Sequence, residues 1–303
     1  MRMSWRDLCA GVLVALLWGC NFSVIELGLK TLDPYLLTLL RFAFCAFPLV
    51  FFIRRPTGIT FTVLGVYGAL FGAGLWWMVN FAMYNGLSPG MSSVFLQFSA
   101  FFTIFWSACF LKERITGMHW AGMLFAVAGL SLILWVSGKS STSFGIFVVL
   151  LAAVAWSVCN LLVKLKKPAE MMAFIIWSSL FSVPVILSLT LAVQGWAPFV
   201  VLADGLALGA VFSIFFQSYI TTLLGYLVWN NLMKKYPATQ VAPLSLLVPV
   251  SGLLASHVFY GEVLSTPQWV AIGLVIFGIA VFLNARRLQV LVGAGEASRV
   301  RDC

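Results

Sequence analysis

Charged residues are scarce in this chain of 303 residues, because Asp, Glu, Lys and Arg together make up only 9% of it. Soluble domains carry about 25% charged residues. Only nine residues are acidic and two are histidines, and none of the six cysteines forms a CxxC or Cys/His pair. The scarcity argues against a soluble domain, a metal site, a cofactor site and an enzyme that needs a positioned acid and base.

Long apolar runs stand where charge is missing, since hydrophobic residues make up 62% of the chain and the mean hydropathy is +1.05. A run of about 20 apolar residues crosses a hydrocarbon core of about 30 Å as a helix, and in lipid such a run satisfies its backbone only as a helix. We therefore predict an all-α polytopic membrane protein, with a retained rather than cleaved first helix. The ten predicted spans are 8–29, 35–53, 61–84, 90–111, 117–137, 144–164, 170–193, 205–232, 238–260 and 266–284.

Lys and Arg residues fall unevenly between the two sides that these spans define. With the N-terminus inside, the inner segments hold fifteen of the 18, the outer loops hold two, and Arg41 lies within a span. The positive-inside rule then predicts that both termini are cytoplasmic. The formal charge of +9 is explained by orientation, and no nucleic-acid partner is expected.

Two similar segments, FLKERITGMHWAG at 110–122 and FYGEVLSTPQWVAIG at 259–273, lie 149 residues apart. Coincidence in an apolar chain is the alternative to duplication. Duplication would give five spans in each half, and because five is odd the second half would be inverted, as in many secondary transporters. The predicted units are residues 1–138 and 139–285, followed by a cytoplasmic tail at 286–303. The matched pairs are Phe110 and Phe259, Glu113 and Glu262, Trp120 and Trp269, and Gly129 and Gly278.

Several short motifs carry a family resemblance in their order and spacing. They are LLWGCNF at 16–22, Arg41-Phe42, LSPG at 87–90, KER…W at 112–120 and GE…W at 261–269. From about residue 8 to 284 the chain resembles the EamA-type ten-span exporters of the drug/metabolite transporter superfamily, and looks closest to YddG-type aromatic amino acid exporters.

This resemblance implies a multi-pass exporter of the bacterial inner membrane, with a central cavity lined mostly by spans 1, 3, 4, 6, 8 and 9. Its expected partners are a small-molecule substrate and membrane lipids; the sequence does not indicate an oligomeric state, and a monomer is compatible with it. Pro249 matches a family proline in span 9, and its absence near Ala100 leaves a break in span 4 undecided.

Polar and aromatic residues inside the spans are the candidates for lining that cavity. Amides at membrane depth usually face the bundle interior or a water-filled cavity, although an interhelical hydrogen bond is the alternative. The hypothesis is a mid-membrane pocket with aromatic walls and neutral donors, while Trp106 and Trp229 are assigned to interfacial aromatic belts. The candidate substrate-binding residues are Trp18, Asn21, Trp77, Asn80, Tyr84, Gln97, Trp156, Asn160, Gln217 and Tyr226.

Glu26 and Arg41 are a separate candidate pair, because both lie within about two turns of the same end of adjacent spans. We expect a structural ion pair, with a substrate or proton role as the alternative.

The predicted function is export of small neutral metabolites, aromatic amino acids in particular, by alternating access, with spans 3, 4, 8 and 9 moving. Alternatives are export of other amino acids, metabolites or cationic or aromatic drugs, and, in a different class, a channel or lipid scramblase.

Overall fold

The computed structural model describes residues 3–136, 142–203, 205–260, 265–285 and 287–289, without the side chains of 255–260. All regular structure in these residues is helical, in ten long segments whose ends lie within three residues of the predicted ones and a short 3₁₀ helix at Ala197–Leu202. The all-α prediction is therefore confirmed. The helices are α1 Trp5–Leu29, α2 Pro34–Phe51, α3 Phe61–Tyr84, α4 Pro89–Leu111, α5 Gly117–Val136, α6 Ser143–Lys166, α7 Met171–Gln194, α8 Leu208–Lys235, α9 at 238–260 and α10 Thr266–Leu283.

Nine of the ten helices in the described part of the chain are long and apolar enough to cross a membrane, and α9 contains a shorter apolar stretch, Ala238–Leu254. Successive helices run in opposite directions, so the bundle has two ends. The end that carries the start of α1 is called the Asp7 face, and the end that carries the α1–α2 turn is called the Lys30 face. The sequence predicts that the Asp7 face is cytoplasmic.

Side-chain caps fix where several helices begin. The Asp33 carboxylate accepts hydrogen bonds from the backbone N–H groups of Tyr35 (2.8 Å) and Leu36 (3.1 Å) at the start of α2. The Ser88 hydroxyl caps α4 in the same way. In both helices a proline follows the cap, where its missing N–H group costs no helical hydrogen bond.

Five helices depart from regular α-helix within the bundle, and one of them, α2, finishes in a 3₁₀ turn at Leu49–Phe51. π-helical turns occupy Leu70–Trp77 in α3 and Phe216–Gly225 in α8. A 3₁₀ turn at Ala242–Leu246 precedes the long part of α9, and α4 breaks at Gln97 without a proline. The break in α4 that the sequence left undecided is therefore present. Irregular backbone frees N–H and C=O groups, and it is tolerated at this depth where protein buries it.

The large helix contacts are symmetric between the two halves of the chain: each has a counterpart when every helix is replaced by its equivalent in the other half. Here α1 corresponds to α6, α2 to α7, and so on to α5 and α10. Helix α1 packs on α8 and α9, while α6 packs on α3 and α4. Likewise, α3 packs on α7 and α2 on α8, and the remaining large contacts join α2 to α7 and α5 to α10.

The contact between α5 and α10 repeats this pattern at the level of single residues. A Cβ atom at Gly122 would lie 2.7 Å from the carbonyl oxygen of Gly278, so the two backbones touch there. A Cβ atom at Gly129 would lie 2.8 Å from the carbonyl oxygen of Ala271. Adding or subtracting 149 residues converts the first contact into the second.

Candidate functional site

A cluster of buried aromatic rings lies where α1, α6 and α8 meet. The Trp18 ring centre lies 5.4 Å from that of Trp156, 4.8 Å from Tyr226 and 5.2 Å from Trp229. All four side chains are at most 3% exposed. Aromatic pairs at such distances contribute about 0.5–1.5 kcal/mol beyond the burial of their area. We call these four residues the central aromatic cluster.

Neighbouring polar groups orient the rings of the central aromatic cluster. Trp18 donates its Nε1–H to the carbonyl oxygen of Thr221 (3.1 Å), and Trp229 donates to Oδ1 of Asn160 (3.0 Å). Asn160 in turn donates to Thr103 of α4 (3.1 Å). Since buried amides and indoles are normally paired, these bonds hold α1, α4, α6 and α8 in one arrangement.

Nε1 of Trp156 and Nδ2 of Asn21 are among the buried donors near the cluster that have no hydrogen-bond partner in the described residues. Asn21 is fully buried and accepts from the hydroxyl of Thr221 (3.3 Å) through its other side-chain atom. A buried polar group left without a partner costs about 1–3 kcal/mol. Both donors are therefore available to a ligand that reaches this level.

The sequence predicts an open chamber at the centre of the bundle. In the conformation described here the centre is closed, so this prediction is wrong for this state. The gap enclosed by the cluster has a volume of only about 10 Å³. Ligand pockets usually measure about 300–1,000 Å³. The indole rings occupy the space that the sequence assigned to substrate. The gap is lined by Trp18, Phe22, Trp76, Leu96, Gln97, Trp156, Tyr226 and Val248.

Open space lies instead between the cluster and the Lys30 face. Two adjoining cavities of about 390 and 430 Å³ share Glu26, Lys30 and Pro89 in their walls. The first reaches Gly19 and Phe22, and Phe22 also borders the central gap. We call the two cavities together the vestibule. It leads from the Lys30 face to the edge of the central aromatic cluster.

The Asp7 face is held closed by two ion pairs and a shared tyrosine. Lys164 Nζ lies 2.9 Å from the Glu113 carboxylate and donates to the carbonyl oxygen of Tyr236 (2.9 Å). Lys235 Nζ and the Tyr236 hydroxyl both contact the Asp7 carboxylate at 2.6 Å. These contacts join the Asp7-face ends of α1, α4, α6 and α8. From the central aromatic cluster, the route is thus open toward the Lys30 face and shut toward the Asp7 face. A separate cavity of about 540 Å³ at the Asp7 face lies between α1, α5, α9 and α10, and no residue of the cluster lines it.

The predicted Glu26–Arg41 ion pair is absent from the described residues, so that expectation is corrected. Glu26 is exposed in the vestibule, whereas Arg41 is fully buried. The Arg41 guanidinium donates to Thr222 (2.9 Å), Gln217 (3.1 Å) and Thr221 (3.4 Å). The physical reason is helix packing, because α2 turns this side chain toward α8 rather than toward α1.

Two predicted site residues lie away from the central aromatic cluster. Trp77 is half-buried and stacks on Phe81 with ring centres 5.1 Å apart. Tyr84 is 57% exposed at the rim of the vestibule. Trp77 therefore does not line the central gap, which Trp76, one residue earlier in the π-helical turn of α3, borders instead.

The remaining predicted amides are buried, with varied partners. Asn80 donates to the Thr38 hydroxyl (2.8 Å), which is the interhelical hydrogen bond named as the alternative to a cavity role. Gln97 donates to the Ser93 carbonyl (2.9 Å) on its own helix and borders the central gap. Gln217 lies beside Arg41. The structure buries eight of the ten predicted site residues to 3% exposure or less: Trp18, Asn21, Asn80, Gln97, Trp156, Asn160, Gln217 and Tyr226.

Trp229 and Trp106 were predicted to lie in interfacial aromatic belts, but the structure places both inside the bundle. Trp229 is 1% exposed and belongs to the central aromatic cluster, although its sequence position suggested an interfacial belt. Trp106 donates its indole N–H to Ser157 (3.0 Å) between α4 and α6. Trp76, Thr221 and Thr222 had no sequence signal, since tryptophan and threonine occur throughout the spans. No group of three or more possible metal ligands occurs among the described residues.

Both halves of the chain match the same family model. Residues 5–135 and again residues 143–284 match the EamA-like transporter family. The chain belongs to this family. The resemblance to the EamA-type branch of the drug/metabolite transporter superfamily is thereby confirmed. The protein is a multi-pass membrane transporter rather than an enzyme, while the narrower likeness to YddG-type exporters stays a prediction.

Curated relatives cover nearly the whole chain. A Salmonella typhimurium protein named "Probable amino-acid metabolite efflux pump" is 32% identical over 95% of this chain and 98% of its own length. An Escherichia coli K12 protein with the same name is 31% identical over 97% of this chain and 100% of its own length. A Streptantibioticus cattleyicolor protein named "Probable terminal-alkyne amino-acid exporter" is 24% identical over 95% of this chain and 96% of its own.

A solved structure, described only as a crystal structure of a protein, supports the fold alone. It has a TM-score of 0.69 and 18% sequence identity to this chain, over 91% of this chain and 97% of its own. Glu262, which the sequence paired with Glu113, lies outside the described residues, as do Lys139 and most of the predicted tail.

Proposed function

We propose that this transporter exports small neutral amino acids or amino-acid metabolites, with aromatic amino acids as its preferred class, across the bacterial inner membrane. The observation that carries the proposal is the vestibule ending on the central aromatic cluster, beside the unpartnered donors of Asn21 and Trp156. Ring faces and neutral donors suit an apolar side chain on a zwitterion. The names of the two relatives that are about one-third identical support amino-acid export.

Alternating access is the mechanism that fits a route open at one end and shut at the other. The two five-helix units, residues 1–138 and 139–285, would be inverted repeats that rock about the central aromatic cluster. Three observations support this: both halves match one family model, the helix contacts survive exchange of the halves, and the Gly122–Gly278 contact repeats as Gly129–Ala271.

The moving parts would be α3, α4, α8 and α9. Each contains a π-helical turn, a 3₁₀ turn or a break near the depth of the central aromatic cluster. Such irregular turns let the two parts of a helix change their angle while their ends stay packed. With both termini cytoplasmic, the conformation described here faces outward, and the reverse motion would separate the contacts of the Asp7 face.

Uptake by purified protein in liposomes tests the substrate class. We expect saturable transport of radiolabelled phenylalanine and tryptophan, with weaker competition by small aliphatic amino acids and by an organic cation. Asn21→Ala and Asn160→Ala should each reduce transport by about tenfold, since each removes a buried polar contact worth about 1–3 kcal/mol. Asn231→Ala is the matched control, because Asn231 bonds only its own helix, at the Leu227 carbonyl. If both central variants transport every aromatic solute as well as the wild type, the assignment is wrong.

The same liposomes separate the alternatives. Preferred competition by the organic cation would identify a drug exporter. Flux that rises linearly with concentration, without saturation, would identify a channel. Exchange of labelled lipid between leaflets, dependent on the protein, would identify a scramblase.

A further inference from the structure

Arg41 is a fully buried cation with no carboxylate paired to it among the described residues. It lies seven residues after Pro34, or about 10 Å along α2 from the Lys30 face. A charge held at such depth is costly, and charged residues within spans normally pair or serve transport.

None of the five described carboxylates pairs with Arg41. Asp33 caps α2, Glu170 accepts from Thr57, and Glu26 is exposed in the vestibule. Asp7 and Glu113 hold the Asp7 face closed. Arg41 is instead surrounded by neutral groups.

The neutral neighbours leave part of the guanidinium's capacity unused. It has five N–H donors, and three of them donate to side-chain oxygens, those of Thr222, Gln217 and Thr221. Its carbon atom lies 3.8 Å from the centre of the Trp76 ring. The Thr221 hydroxyl lies 3.0 Å from the Gln217 carbonyl oxygen and 3.3 Å from Oδ1 of Asn21, whose Nδ2 is buried without a partner among the described residues. Arg41 and Asn21 therefore form one connected layer of donors that lacks an anion.

This layer adjoins the proposed transport route. Trp76 stacks on Arg41 from one side and borders the central gap, and Trp18 borders that gap while bonding the Thr221 carbonyl. Phe22 joins the same gap to the vestibule. Separation of these rings would bring a solute from the vestibule to the guanidinium.

We propose that Arg41, with Asn21 beside it, binds the carboxylate of the transported amino acid while the central aromatic cluster holds its side chain. This inference rests on the proposed function. Guanidinium and amide donors match a carboxylate in charge and geometry. The fixed contacts to Gln217 and Thr222 position the guanidinium, and the bound carboxylate supplies the missing negative charge.

A scaffold role is the competing explanation, since Arg41 also joins α2 to α8. Gln217→Glu separates the two, because Gln217 Oε1 already lies 3.1 Å from Arg41 Nη1 and the change adds a permanent anion with little change of shape. A scaffold residue would gain an ion pair and keep its selectivity. If Arg41 binds the substrate carboxylate, the carboxylate introduced at position 217 would occupy the guanidinium before substrate binds. The transporter would then lose its preference for the amino acid over its amide.

Competition in proteoliposomes at about pH 6 measures that preference, using phenylalanine and phenylalaninamide, which share the ring and the ammonium group. For the wild type we expect phenylalanine to compete at a concentration at least about tenfold lower than the amide, as one charged hydrogen-bonded contact provides. In Gln217→Glu and in Arg41→Gln the ratio should fall below about threefold. Asn231→Ala is the control and should keep the wild-type ratio, because Asn231 donates to the Leu227 carbonyl on its own helix and does not contact Arg41.

The outcomes are distinguishable. If Gln217→Glu folds and keeps the full ratio, Arg41 does not bind the carboxylate, and the same conclusion follows if Arg41→Gln keeps it. If the wild type itself transports no amino acid, the proposed function fails first. A wild type that transports phenylalanine and its amide equally well leaves the proposed function standing and overturns the carboxylate assignment alone.

Discussion

Replacing Glu113 by Gln removes one negative charge from the closed Asp7 face and changes the side-chain shape little. Glu113 is 15% exposed, Lys164 is 8% exposed, and the charged atoms are 2.9 Å apart. Breaking a buried ion pair costs about 3–5 kcal/mol, because the other charge stays buried. Lys164 keeps its bond to the Tyr236 carbonyl (2.9 Å), so we expect a cost at the lower end of that range, about 3 kcal/mol.

A double-mutant cycle isolates this ion pair from its other contacts. Lys164→Met removes the second charge, so Glu113→Gln should cost much less in its presence than alone. Reversible unfolding of the purified protein in mixed detergent micelles gives the four free energies of unfolding. We expect a coupling energy above about 1.5 kcal/mol. Costs that add to within about 0.5 kcal/mol would show that the pair does not stabilise this face.

Three further predictions concern separate parts of the bundle. Trp229→Phe leaves the Asn160 oxygen without its indole donor (3.0 Å) and should cost about 1–3 kcal/mol in unfolding. Gly278→Val places a Cβ atom 2.6 Å from the α5 backbone, so overpacking should lower the free energy of unfolding by a similar amount. An unchanged free energy of unfolding would contradict the close contact between α5 and α10. Hydrogen bonds from Thr57 lower the pKa of Glu170. That contact stabilises the fold above the usual range of a glutamate and is lost as pH falls through the lowered value, so Thr57→Val should reduce the melting temperature near pH 7 but not near pH 2.

The ten helices could be predicted because lipid permits few solutions. Apolar runs of fixed length must be helical, and caps such as Asp33 and Ser88 mark their ends. Neither inference needs tertiary contacts. Family membership also followed from sequence, since short motifs such as LLWGCNF keep their order along the chain.

Side-chain placement inside the bundle could not be predicted to the same degree. Trp76 and Trp77 lie at nearly the same depth in the π-helical turn at Leu70–Trp77, so depth alone does not show that Trp76 rather than Trp77 borders the central gap. The position of Trp229 near the end of a span predicts an interfacial residue. That position does not show which neighbouring helix covers the side chain. Glu26 and Arg41 lie near the same end of consecutive helices, but Arg41 faces α8 whereas Glu26 faces the vestibule. The closed central gap reflects a conformation, which a sequence does not specify.

Counterflow tests the central claim most directly, since it asks whether one site is exposed alternately to the two sides of the membrane. Proteoliposomes are loaded with a millimolar concentration of unlabelled phenylalanine and diluted into trace labelled phenylalanine. Alternating access through the central aromatic cluster predicts that label accumulates transiently inside above its outside concentration, then declines as the gradient dissipates. Label that equilibrates at the same rate with or without internal phenylalanine would contradict the account.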